Sequence, residues 1–130
     1  MRRLLLCLLA SGLPVACLSA LPDNGGKAFQ PERWATPIKH DANLYRIDDK
    51  LYRSEQPVAE DGEAIVKLGI QSVINLRFFD RNDDDHLKAY GLTLLNRPLL
   101  SWSIKPKEIA EILYLIEKQQ QNGAVLIHCY

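Results

Sequence analysis

Apolar residues recur along this chain with two periods, and the changes of period mark its elements. Asn43 to Arg46 and Lys50 to Arg53 repeat a Leu-Tyr-Arg alternation on either side of Asp48-Asp49, which predicts two short strands joined by a tight acidic turn. Pro57 closes that hairpin. From Ala59 to Leu68 the period lengthens, placing Ala64, Ile65 and Leu68 on one face of a short helix that Gly69 ends. Ile70 to Leu76 is apolar on both sides, as a strand covered on two faces should be. Asp83 is placed to cap a short helix through Tyr90, stopped by Gly91, and Leu92 to Leu95 forms another strand before Arg97-Pro98.

The clearest helix comes next. Pro106 suits a first turn, Ile109, Ile112, Leu113 and Ile116 are expected to form the buried stripe, and Glu108, Glu111, Lys118 and the glutamines lie outside. Gly123 ends it, and Val125 to Cys129 reads as a central strand. Strand-helix-strand-helix-strand with short joints predicts an α/β fold built on a parallel sheet. Such sheets carry helices on both faces, so a sheet stopping at Cys129 is expected to be C-terminally incomplete.

The first residues have a different character. Met1-Arg2-Arg3 leads into an apolar run from Leu4 to Leu9, interrupted later by Gly12 and Pro14, with small residues near Ala20. That is the form of a secretory signal peptide over residues 1–20, too short and broken to span a bilayer. Pro14-Val15-Ala16-Cys17 approaches a bacterial lipobox, so membrane anchoring is expected only if Cys17 is lipidated. The destination on either route is outside the cytosol, which in a bacterium is the periplasm. Residues 21–42, with Pro22, Gly25, Gly26, Pro31 and Pro37, read as an extended leader anchored by Trp34, and residues 43–130 as the partial domain.

Charge narrows the function. The 130 residues carry 16 basic and 16 acidic side chains, interspersed, which gives no basic stripe for nucleic acid. There is no Gly-rich nucleotide loop, and His40, His86 and His128 are too far apart in sequence to suggest a metal set, so neither metal nor cofactor is expected. With Cys7 and Cys17 in the targeting segment, Cys129 is the remaining thiol of the mature body. Exported domains commonly use cysteines in disulfides. A single one at a strand tip is either a buried structural cysteine or a reactive thiol.

Three motifs in order bear on the choice. Leu51-Tyr52-Arg53-Ser54-Glu55-Gln56-Pro57, Gly69-Ile70-Gln71-Ser72-Val73-Ile74-Asn75-Leu76-Arg77 and Val125-Leu126-Ile127-His128-Cys129 together resemble the exported bacterial branch of the dual-specificity, cysteine-dependent protein tyrosine phosphatases. The resemblance runs from about Arg33 to the end. It implies a phosphoric monoester hydrolase acting through a phosphocysteine intermediate on a phosphorylated protein or a small phosphate ester. Cys129 matches the nucleophile, and His128 the residue that orients and tunes it. The family's strand ends in His-Cys-x5-Arg, a loop whose backbone N–H groups and arginine stabilise the thiolate and grip the phosphate. Here Tyr130 alone comes after the cysteine, so this chain as written is expected to be inactive.

The general acid is less evident. Many relatives carry an upstream aspartate, whereas Arg97-Pro98-Leu99-Leu100-Ser101-Trp102 holds no carboxylate. Asp80, Asp83, Asp84 and Asp85 read as a solvated loop and helix start, where carboxylates suit the helix dipole. Arg53 and Arg77, at strand ends, read as structural, and Trp102 as core packing beside a helix start. Two alternatives stand beside the phosphatase: a rhodanese-like sulfurtransferase, which also carries a cysteine at a strand tip, and a non-catalytic exported binding module derived from a phosphatase.

Overall fold

A computed structural model describes residues 34–79 and 81–129. The signal segment of residues 1–20, Cys7, Cys17, the first part of the leader, Asp80 and Tyr130 lie outside the described residues. In chain order the elements are β1 (Thr36–Lys39), β2 (Leu44–Arg46), β3 (Leu51–Ser54), α1 (Gly62–Lys67), β4 (Ile70–Asn75), β5 (Thr93–Asn96), α2 (Pro106–Gln119) and β6 (Ala124–His128). Three 3-10 turns, His40–Ala42, Ala59–Asp61 and Asp85–Tyr90, join them.

The strands form one sheet in the order β1-β2-β3-β6-β4-β5. The four strands β3, β6, β4 and β5 run parallel, and β1 and β2 add an antiparallel edge. The fold is therefore α/β with a mostly parallel sheet, as the sequence pattern predicts. The β2–β3 hairpin turns where Asp48-Asp49 stands, with Asp48 Oδ1 accepting from the Lys50 N–H at 2.8 Å. The sheet begins earlier than residue 43. Thr36–Lys39, read as leader, pairs with β2, and its Pro37 is tolerated because an edge strand needs no N–H on its open side. Trp34, the expected anchor, is instead 68% exposed.

Strand β6 lies between β3 and β4, and its side chains face a core on either side of the sheet. They alternate between two cores. Leu126 points to one with Ala42, Leu44, Tyr52, Ile65, Ile70, Val73, Leu87 and Leu92. Val125 points to the other with Ile74, Ile112 and Ile116. On the first face α1 and the Asp85–Tyr90 turn are the cover, tied to β1 by Asp61, which accepts from the Val58 N–H and from Lys39.

Helix α2 covers the second face, but not along the expected stripe. Ile112 and Ile116 are buried, whereas Ile109 is 41% and Leu113 61% exposed. The contact line runs through Ile112, Leu115 and Ile116 to Gln119, whose Oε1 accepts from Ser72 Oγ at 3.0 Å. One glutamine thus faces the sheet. The helix starts as expected, with Pro106 in its first turn and the Glu108 carboxylate accepting from the Lys105 N–H at 2.7 Å. An ion pair between Arg97 and Glu111 holds it beside β5.

Candidate active site

Parallel strands bring their carboxyl ends to one edge, and the segments that leave those ends meet there. Ser54 of β3 and Asn75 of β4 both stand opposite His128 of β6. The residues just beyond, Gln56, Arg77 and Cys129, therefore share one rim of the sheet although they are remote in sequence. The main chain is tied down at this rim. The Leu76 N–H donates to the His128 carbonyl at 2.9 Å, and Asn75 Oδ1 accepts from the Arg77 N–H at 2.8 Å.

Behind the rim lies a buried polar chain. His128 is buried, with Nε2 2.9 Å from Asp84 Oδ2 and Nδ1 3.3 Å from the Cys129 carbonyl oxygen. Asp84 is buried too, and its Oδ1 accepts from Gln56 Nε2 at 2.6 Å. Gln56 Oε1 accepts from Arg77 Nη1 at 2.8 Å, and the same Nη1 reaches Asp83 Oδ2 at 2.7 Å. A guanidinium only donates and a carboxylate only accepts, so both ends of the Gln56 amide are assigned by their partners. Burial works to push the Asp84 carboxyl up, but the hydrogen bond and charge of His128 and the donation from Gln56 outweigh it and hold it below the ordinary carboxylate value.

The expectation of a solvated acidic run is therefore corrected. Asp84 faces inward against His128, Asp83 pairs with Arg77 rather than capping a helix, and the turn after them is 3-10 rather than α. Asp85 alone of the described acids in this run fits the solvated reading, paired with Lys88 at the surface. Sequence reasoning missed both Asp84 and Gln56. Gln56 lay within the Leu51-to-Pro57 motif, which was a signal of importance without being one of contact.

In front of the rim Cys129 is exposed and lines a cleft of about 80 Å³ with Arg77, Phe78, Phe79, Leu99, Ser101 and Trp102. Phe78 and Phe79 meet edge to face, with ring centroids 5.0 Å apart. Trp102, expected in the core, is 76% exposed and stands in the wall of this cleft. Among the described residues that line it, none is a carboxylate. Arg53 is held elsewhere, its guanidinium 4.2 Å over the Tyr45 ring and within 3.4 Å of Asn43 Oδ1. Arg77 is the strand-end arginine that reaches the site.

The site therefore combines a thiol on the tip of a central parallel strand with a buried imidazole and carboxylate behind it. The structure superposes on a cysteine-to-serine variant of Pseudomonas aeruginosa TpbA in complex with pTyr with a TM-score of 0.68 and 26% identity, covering 74% of this chain and 58% of that one. The curated Dual specificity protein phosphatase TpbA of P. aeruginosa strain PAO1 is 27% identical over 102 residues, 78% of this chain and 46% of that protein. The chain thus spans about half the length of the curated relatives it matches. Tk-PTP in the active form shares the fold, with a TM-score of 0.56 at 22% identity over 67% of this chain and 61% of that one. No family model matches the chain.

Proposed function

We propose that this chain carries the nucleophile-bearing part of a phosphoric monoester hydrolase of the protein tyrosine or dual-specificity phosphatase type. The observation that carries the reading is Cys129, exposed on the tip of β6 in a cleft walled by Phe78, Phe79 and Trp102 and backed by the His128–Asp84 pair. Aromatic walls favour a phosphorylated aromatic ring, which edge-to-face and stacked contacts would hold. The Cys129 thiolate attacks phosphorus, an S–P bond forms, and the ester oxygen leaves with the bonding pair and takes up a proton as a phenol. Water then cleaves the S–P bond, releasing inorganic phosphate and returning the thiol. His128 orients the Cys129 main chain through its Nδ1. The likeness to TpbA supports the same assignment.

The test is covalent trapping. The longest polypeptide that the gene encodes is mixed with p-nitrophenyl phosphate or a phosphotyrosine peptide, quenched in acid and analysed by mass spectrometry. Phosphorus on the Cys129 sulfur is expected, and its loss in Cys129→Ser. Absence of that adduct during measurable turnover would overturn the reading, and thiosulfate sulfurtransferase activity would replace it by the rhodanese one. Export belongs to the same proposal. Residues 1–20 are taken as the signal, and N-terminal sequencing of protein from the periplasm should begin at Leu21, or at a lipidated Cys17.

A further inference from the structure

The chain of hydrogen bonds behind the thiol has a direction, and its middle member belongs to no part of the mechanism above. Arg77 Nη1 donates to Gln56 Oε1, and Gln56 Nε2 donates to Asp84 Oδ1. His128 Nε2 faces the other oxygen of the same carboxylate, and His128 Nδ1 faces the Cys129 carbonyl. Four segments meet here: the loop after β3, the end of β4, the start of the Asp85–Tyr90 turn and the end of β6. Each delivers one member. We infer that Gln56 is a positioning residue, whose side-chain amide couples the Arg77 cation at the cleft to the buried Asp84–His128 pair and so fixes the main chain that presents Cys129. This rests on Cys129 being the nucleophile of the reading above.

The physical case is one of polarity rather than filling. The Asp84 carboxylate is buried, where each donor it loses is felt strongly. Its two oxygens are divided between Gln56 and His128, so a change at one bond alters the charge available to the other. The titratable and charged groups around the carboxylate are His128 from β6, His86 from the adjoining turn, and Arg77 with Asp83 on the far side of Gln56. Asp61, beside α1, faces His86 in turn. Gln56 joins the cleft side of this set to the buried side. Gln56→Met keeps the length of the side chain and removes both bonds. Gln56→Glu keeps an acceptor for Arg77 but turns a carboxylate oxygen toward Asp84.

Both variants are compared with the parent chain by iodoacetamide alkylation of Cys129 at pH 7, by carboxyl carbon NMR of Asp84 across the acid range, and by circular dichroism. Gln56→Met should slow alkylation about threefold, since thiolate reactivity follows its local field, and should move the Asp84 titration upward. Gln56→Glu should do more of both despite its closer shape, which a packing role would not produce. Leu113→Ala, on the exposed side of α2, should leave both readouts unchanged. Folded variants with parental alkylation rates and parental Asp84 titration would overturn the inference. If both variants fail to fold, the parent chain still decides. The Gln56 side-chain amide protons should shift as Asp84 titrates, and resonances that stay fixed would overturn it. None of these measurements needs a phosphate ester, so failure here leaves the phosphatase reading standing, whereas failure to trap phosphocysteine would remove the role given to the coupling without changing these readouts.

Discussion

The two faces of the sheet share the same strands and end in different states. The first buries Ile65, Leu87, Leu92 and Leu126 among others beneath α1 and the Asp85–Tyr90 turn, and little of its apolar surface remains in water. Among the described residues the second has one helix, and its buried apolar side chains are Ile74, Ile112, Ile116 and Val125, with Leu51, Leu95, Leu115 and Ile127 partly covered. Ile109, Leu113 and Tyr114 of α2 face outward. Strand composition sets what can be buried, and the width of the helical layer sets what is. The polar chain that supports Cys129 grows from the better covered face, since Asp84 opens the turn whose Leu87 belongs to that core. Buried hydrogen bonds need surroundings that exclude water, and the first face supplies them.

The largest expected effect tests this asymmetry directly. Leu126→Ala removes a side chain with no exposure from the middle of the first core. A loss of about 3–4 kcal/mol is expected. Ile112→Ala empties a site under the edge of a helix that can settle inward, and about 2 kcal/mol is expected. Urea titrations of the two variants measure the gap. Equal losses would mean that the second face is as well packed as the first.

Next in size is the polar chain. Asp84→Ala strips His128 and Gln56 of their acceptor, and a cost of about 2–3 kcal/mol is expected, from one fully buried and one half-buried donor left without that partner. Asp84→Asn keeps the shape and one acceptor, and should cost less. Circular dichroism melts of the two variants rank them. If Asn is the more damaging, the pair depends on charge more than on hydrogen-bond count.

How far the sequence foretold this depends on where each signal resides. The hairpin, β4, α2 and β6 were legible because their boundaries are local: Asp48-Asp49 makes the turn, Pro106 starts the helix, and Gly69 and Gly123 adopt the positive φ that ends one element before the next. Strand β1 was not, because Pro37 and one exposed side resemble a loop until β2 is laid beside them. The stripe on α2 was half legible. Its period was right, but which edge of the apolar arc meets the sheet depends on how the helix is set down. At the candidate site, the strand tip that carries His128 and Cys129 was legible because β6 is bounded locally. Asp84 and Gln56 were not, since a run of four acids gives no hint of which one turns inward, and a glutamine becomes specific only when a donor and an acceptor from other segments enclose it.

A smaller effect comes from pH. Asp84 and Asp61 are both held below the ordinary carboxylate value of 3.8, in each case against the opposing pull of burial: Asp84 by His128 and Gln56, Asp61 by Lys39 and the Val58 N–H. A carboxyl with a lowered folded-state pKa contributes stability that is present above 3.8 and disappears as pH falls through the folded value. Stability should therefore be flat on this account from pH 7 down to about 5 and fall below about pH 4. The slope should lessen in Asp84→Asn and again when Lys39→Met is added. Urea midpoints at pH 7, 5, 4 and 3 give the slope, and one unchanged in both variants would place the acid sensitivity elsewhere.

The smallest expected effect sharpens the comparison most. Leu113 has the apolar character of a core residue and the right period for one, yet 61% of it is exposed. Burial, not residue type, determines the loss on truncation, because a side chain already in water has little transfer free energy to forfeit. Leu113→Ala should change stability by no more than about 0.5 kcal/mol. The same truncation at Ile116, one turn further along and under the sheet, should cost several times as much. Both substitutions leave alanine, the best helix former, so helix propensity cannot account for the difference. A loss above about 1 kcal/mol at Leu113 would mean that this side of α2 is covered in solution, and the two faces of the sheet would then be equals.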